Sequence, residues 1–276
     1  MNERFMSGLY KTLLILSDYL PEIVVGGGWA TFLYGRYLFK NRQREPVFTR
    51  DIDFMVKSKI PIIGKNTVDQ LLVEAGLRAK FKSRGNPPVI HYEGTIEGSD
   101  VEIEFLTDQT GSKPDAVLEV QEGLHAEALR YVSLLVENIL VLTLDDTNLI
   151  DALAPLTVKV PTPAAYIFQK GLIFKRRWDH QKRAKDLYYI FDILAGSREI
   201  RYDLIWEFSE FRIKHAKWYQ TFMADLGELF EGPESEGVLL VTEQRPVNAY
   251  VELDNLQFQQ YAFGIVEEFI KGISPQ

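Results

Sequence analysis

Residues 22–30 read Glu-Ile-Val-Val-Gly-Gly-Gly-Trp-Ala, residues 49–54 Thr-Arg-Asp-Ile-Asp-Phe, and residues 101–106 Val-Glu-Ile-Glu-Phe-Leu. In the first stretch a short β-branched run meets three glycines and then a helical pattern that turns Ala30, Leu33, Tyr34 and Leu38 inward. That is strand, glycine turn, helix. The second stretch predicts another strand, on which Asp51 and Asp53 project from one face about 7 Å apart along the backbone. Ile52 and Phe54 point to the opposite, core face. The third repeats the alternation, with Glu102 and Glu104 on one face and Val101, Ile103 and Phe105 on the other.

Outward from these strands, Phe5, Leu9, Leu13, Leu16 and Leu20 mark one face of an amphipathic helix that Pro21 ends. Residues 66–76 predict a short helix with Asn66 as N-cap and Gly76 just past its end. Residues 89–96 predict a strand joined to the 101–106 strand through a turn at 97–100. Beyond residue 115 one more strand is expected near 156–162, then helices at 163–177 and 179–196, with Asp179 as N-cap and Gly196 as the stop. Residues 203–230 and the chain end predict further helices, and 232–256 fits a hairpin packed on them. The expected fold is α+β: a small mixed sheet flanked by helices in residues 1–115, then a mostly helical domain in residues 116–276.

The chain has 276 residues, a formal net charge of −8 and no cysteine. At roughly 150 residues per domain, this length suggests one large domain or two small ones. The cysteine count excludes a disulfide scaffold, a thiolate metal site and a cysteine nucleophile. The acidity argues against extended, nonspecific DNA binding. No stretch approaches the roughly 20 apolar residues of a membrane span, and the start lacks a signal-peptide pattern, so a cytoplasmic protein with no membrane partner is expected.

Four carboxylates on two strands are ordinary if each strand simply faces water. On neighbouring strands they converge, and such a cluster repels itself unless cations sit in it. Two Mg²⁺ ions some 3.5–4 Å apart, held by carboxylates, form the kind of site that drives in-line displacement at phosphorus. The glycines at 26–28 are neither a P-loop, since no Lys-Ser/Thr follows, nor the spaced dinucleotide fingerprint.

Taken together, the glycine turn, the Asp-x-Asp strand and the later acidic strand resemble the nucleotidyltransferase superfamily related to DNA polymerase β. The branch they resemble most includes the AbiEii-type toxins, which implies a toxin–antitoxin-like setting. The resemblance implies that Gly27 and Gly28 bind phosphate and that Thr49 supplies the hydroxyl before the acidic strand. It further implies Asp51, Asp53 and Glu104 as catalytic metal ligands, with Glu102 as second choice for the third position. Two features depart from the pattern: residues 39–48 look inserted, and the third acid is Glu rather than Asp. The implied cofactors are two Mg²⁺ ions, replaceable by Mn²⁺, with an NTP as substrate. The acceptor stays open among a tRNA or other RNA end, a protein hydroxyl and a small alcohol.

Between Lys170 and Asp186 stand seven Lys/Arg (170, 175, 176, 177, 182, 183, 185) against two Asp. A solvated helix face would explain the run. The resemblance instead implies that Lys170, Lys185 and Asp186 belong to the nucleotide site, Lys170 on phosphate and Asp186 in support, with a cleft between the two domains. Arg50 is a further phosphate candidate. The histidines at 91, 125, 180 and 215 have no metal-ligand spacing. His91 is expected to be a strand residue, and Asp145-Asp146 part of a turn or an N-cap. Trp206, Phe208, Phe211, Trp218, Tyr219 and Phe222 recur at helical spacing and belong mostly to the core. Two rival classes are a non-catalytic nucleotide-binding or interaction module on the same fold, and a glycosyltransferase, whose Asp-x-Asp holds the metal of a sugar nucleotide.

Overall fold

A computed structural model of the chain describes residues 3–39, 51–81, 90–96, 98–109, 111, 116–145 and 155–274. They form two compact units, Met1–Ala30 with Phe48–Thr162, and Thr31–Val47 with Pro163–Gln276. Thr49, Arg50 and Asp146 lie outside the described residues.

The first unit opens with α1 (Glu3–Ile15), β1 (Ile23–Val25), the start of α2 (Gly27–Leu33), β2 (Asp51–Val56) and α3 (Val68–Glu74). It continues through β3 (Arg78–Phe81), β4 (Ile90–Ile96), β5 (Ser99–Asp108), β6 (Val117–Gln121), β7 (Leu124–Leu129), α4 (Val132–Glu137), β8 (Ile139–Leu144) and β9 (Leu156–Pro161). The main sheet runs β1-β2-β5-β4-β3, with β7 joining β5 beyond the end of β4 and β6 pairing with β7. Strands β2 and β5 are parallel, whereas β1–β2, β4–β5 and β3–β4 are antiparallel. Strands β4 and β5 therefore do form the expected hairpin, and Gly98 just before β5 takes the left-handed conformation at φ +80°. Strands β8 and β9 form a separate antiparallel pair.

Residues 117–161 were expected in the helical half with one strand near 156–162; among the described residues they carry that strand, β9, and also β6, β7, β8 and the short helix α4, all in the first unit. Their apolar runs are brief, and nothing local says that β7 will dock on the far half of β5. In α3 the cap is Thr67 rather than Asn66. Thr67 Oγ1 accepts from the Gln70 N–H at 3.2 Å while Gln70 Oε1 accepts from the Thr67 N–H at 2.9 Å. A glutamine at the third helical position closes this reciprocal box only for a cap at 67. Gly76 ends the helix as expected, at φ +89°.

The second unit is helical: α5 (Pro163–Ile173), α6 (His180–Gly196), α7 (Arg201–Lys214), α8 (Ala216–Leu229), α9 (Glu236–Glu243) and α10 (Asn255–Ile273). Helix α6 starts at Asp179, whose side chain accepts from the Lys182 N–H at 3.0 Å. The expected hairpin at 232–256 is corrected: Val238, Leu240 and Val241 are buried while Leu239 is 47% exposed. Burial at i and i+3 is helical spacing, which the short run Val-Leu-Leu-Val does not reveal by itself. Among the described residues no helix is long and apolar enough to cross a membrane.

Phe168 of α5 anchors this unit. Its ring stacks on Phe211 at 5.1 Å and 11° and meets Phe208 and Phe222 edge-on at 5.8 and 5.3 Å. Phe208, Phe211, Tyr219 and Phe222 are buried as expected, whereas Trp206 is 65% exposed. Phe168→Ala should cost about 3–5 kcal/mol, the range for truncating a fully packed aromatic. Urea unfolding followed by helical circular dichroism measures it, and a loss below 1 kcal/mol, on the same scale, would contradict the anchoring role.

Candidate functional site

Two strands and one turn build the acidic face of the first unit. In the parallel β2–β5 register Asp51 stands opposite Glu102 and Asp53 opposite Glu104. All four carboxylates are half-buried, and the alternating Ile52, Phe54, Ile103 and Phe105 are buried on the other face. There Phe54 and Phe105 pack at 5.6 Å, and Tyr92 meets Phe105 edge-on at 6.1 Å. Tyr92 also donates to Asp69 Oδ1 at 2.7 Å. Burial first, and that bond second, push its phenol well above the usual range. The apolar face fixes the register, since a one-residue slip would bury the carboxylates.

The glycine turn is tied directly to this face. The Gly26 N–H donates to the Asp53 carbonyl at 2.7 Å. Gly27 opens α2 at φ +55°, and a Cβ there would lie 1.9 Å from Asp53 Oδ2. Both facts require glycine: the conformation is left-handed, and the aspartate carboxylate already fills the space a side chain would take. Gly27 therefore first makes room for Asp53.

On the far side of β5 the register continues, with His91 opposite Glu104 and Glu93 opposite Glu102. Lys80 and Arg78 of β3 follow opposite His91 and Glu93. Two cross-strand rows result, Asp53–Glu104–His91–Lys80 and Asp51–Glu102–Glu93–Arg78, acidic at β2 and basic at β3. Lys80 pairs with Glu93. His91 Nε2 stands 3.4 Å from Glu93 Oε2 and 3.8 Å from Glu102 Oε1. His91 is the strand residue expected, and its Nε2 also faces these two glutamates. The alternation His91-Tyr92-Glu93 and the hairpin with the 101–106 strand were legible, but the register that sets His91 opposite Glu104 was not.

Hard carboxylate oxygens in register are the donor chemistry that Mg²⁺ and Mn²⁺ take, and the close approach at Gly27 brings Asp53 to the turn. In these respects the residues fit a divalent cation. Among the described residues, however, no group of three or more His, Asp or Glu side chains stands close enough to hold an ion. The backbone register sets four carboxylates on one face without gathering three of them around one point among the described residues.

In the second unit Lys170, Lys185 and Asp186 come together. Lys170, 9% exposed, sits with Nζ 2.7 Å from Oδ1 of the buried Asp186. The Arg177 Nε donates to the other oxygen at 3.1 Å. Lys170 also lies 5.4 Å over the Tyr166 ring and 5.9 Å over Tyr189, which Lys185 faces at 5.7 Å. Tyr34 packs edge-on against Tyr166 at 6.2 Å. Burial, and secondarily the Glu207 charge, push the Tyr34 phenol upward.

The basic run is neutralised to a large extent within this unit. Lys170 and Arg177 share Asp186, Lys175 bonds Asp225 and Glu228, and Arg183 bonds Glu236. The side-chain bonds to Asp225 and Glu228 outweigh slight burial and raise the Lys175 pKa.

The family model described as nucleotidyltransferase matches residues 19–206. That span holds the glycine turn, both acidic strands and the Lys170–Asp186 pair, and the chain belongs to this nucleotidyltransferase family. No curated protein matches the chain.

Gly27→Ala should weaken binding of Mn²⁺ at least tenfold, about 1.4 kcal/mol, because Asp53 must swing away from the new methyl. Gly35→Ala, where a Cβ meets nothing within 4 Å, should leave it unchanged. Calorimetric titration of both variants decides; equal affinity in the two would contradict the packing of Asp53 on Gly27.

Proposed function

We propose that the protein is a Mg²⁺-dependent enzyme that transfers a nucleoside monophosphate from an NTP to a hydroxyl acceptor, releasing pyrophosphate. The carrying observation is the pairing of Asp53 with Glu104 next to Asp51, with β2 bonded to Gly26 of the glycine turn. Asp51, Asp53 and Glu104 are the catalytic ligands of two divalent ions. When bound, such ions neutralise triphosphate charge and acidify the acceptor hydroxyl.

The chain's own groups do the rest. Gly27 and Gly28 let backbone approach the phosphates, and the sequence resemblance assigns the Thr49 hydroxyl to the nucleotide as well. Lys170, Lys185 and Asp186 are assigned to the nucleotide, with Lys170 offsetting charge on the leaving pyrophosphate and Asp186 fixing Lys170. Glu104 accepts the acceptor's proton as the acceptor oxygen bonds the α-phosphorus. The bond from that phosphorus to the bridging oxygen breaks, and the electron pair leaves with pyrophosphate.

The likeness to the AbiEii-type toxin branch rests on Gly27-Gly28-Trp29-Ala30 and Thr49-Arg50-Asp51-Ile52-Asp53. As acceptor, an RNA end drew its support from the basic run. With Lys170, Lys175, Arg177 and Arg183 bonded to carboxylates, a protein hydroxyl or a small alcohol gains weight. A second reading, a non-catalytic nucleotide-binding module, is favoured by one observation. No three ligand side chains stand ready to hold an ion among the described residues.

Titration of the four NTPs with and without Mg²⁺, against wild type and Asp53→Asn, separates these readings. Metal-dependent binding that Asp53→Asn reduces more than tenfold, followed by pyrophosphate release on adding acceptor fractions, is the expected result. NTP binding indifferent to Mg²⁺ and to Asp53→Asn would favour the module. Release of a nucleoside diphosphate from a sugar nucleotide would indicate a glycosyltransferase instead.

A further inference from the structure

We infer that His91 is a positioning residue of the acidic face, which holds Glu102 and Glu93 toward the basic edge of the sheet and so makes Glu104 the third ligand. The inference rests on the metal-dependent reading of the site and goes beyond it by distinguishing two glutamates that the sequence alternation leaves equivalent.

The argument starts from like charges. Glu93 and Glu102 stand directly opposite each other across β4 and β5, a pairing that repels unless a donor lies between them. His91 occupies the neighbouring row, opposite Glu104, yet its Nε2 reaches diagonally to 3.4 Å from Glu93 Oε2 and 3.8 Å from Glu102 Oε1. Lys80 takes Glu93 from the other side. Glu102 thus has a contact on the β4–β3 side, while Glu104 stands opposite Asp53 on β2.

A second observation sets His91 apart from a packing residue. It is 8% exposed, and its Nδ1 is buried with no hydrogen-bond partner among the described residues. A buried ring nitrogen left in that state costs free energy that an apolar side chain would avoid. The histidine is therefore retained for what its other nitrogen does.

The test is a double-mutant cycle read as Mn²⁺ affinity of the full chain, measured by the spin-resonance signal of unbound Mn²⁺. In wild type, Glu104→Gln and Asp53→Asn should each weaken Mn²⁺ binding more than tenfold, and Glu102→Gln less than threefold. In the His91→Ala background the effect of Glu102→Gln should change by about fivefold or more, the scale for side chains that interact directly. His91→Gln, which keeps an N–H donor at similar reach, should restore the wild-type pattern. His91→Leu, which fills the volume without a donor, replaces His91→Ala if the latter does not fold.

An effect of Glu102→Gln that is the same within twofold whether residue 91 is His, Leu or Ala overturns the inference. So does a Glu102→Gln loss as large as that of Glu104→Gln in wild type. If Asp53→Asn still removes Mn²⁺ binding in those cases, the metal site survives and only the role of His91 falls. If wild type binds no Mn²⁺, or binds it regardless of Asp53, both fall together.

Discussion

Parallel pairing of β2 with β5 places Asp51 against Glu102 and Asp53 against Glu104, and the rest of the first unit is arranged around the cost of that choice. Like charges directly opposite on a sheet destabilise it, and here they face each other at two successive levels. The register persists because its other side is apolar: Ile52, Phe54, Ile103 and Phe105 are buried, and sliding by one residue would exchange them for carboxylates. The hydrophobic face thus holds the acids where their mutual repulsion would not.

The sheet then grades its charge across the strands. Acids lie on β2 and β5, Glu93 and His91 share β4, and Lys80 and Arg78 occupy the edge strand β3. Attraction at the β3 side is met inside the protein through Lys80–Glu93 and the His91 contacts. The β2 side is bonded to the glycine turn, where Gly27 yields its side-chain space to Asp53. A cation at that end would relieve the remaining repulsion without disturbing the packed face beneath it.

How much of this was legible follows from which signals are local. The alternation in Asp-Ile-Asp-Phe and Val-Glu-Ile-Glu-Phe disclosed both strands and which face was acidic, and Gly98 and Asp179 marked a turn and a cap by their own chemistry. The 97–100 turn put β4 beside β5, but nothing local says that β7 also docks on β5, so β6 to β8 and the register of His91 against Glu104 could not be read. The segment 236–243 misled for a related reason, since four apolar residues fit a strand or a buried turn of helix equally. For the basic run the charge was plain, but apart from Asp186 the acids that pair with it, Asp225, Glu228 and Glu236, lie far along the sequence.

The two units treat charge in opposite ways, and the contrast bears on where chemistry resides. In the helical unit Asp186 is shared between Lys170 and Arg177 over tyrosine rings, so a buried anion is bonded on both oxygens. Removing one member of such a group exposes an uncompensated charge, which makes the group structural whatever else it does. In the sheet unit Asp51, Asp53 and Glu104 are grouped with others of their own sign and held by backbone register. Stability gains nothing from placing four carboxylates across two strands, whereas the proposed cation site would use three of them. The arrangement that costs folding energy is therefore the better marker of function, and it belongs to the glycine turn and the β2–β5 pair.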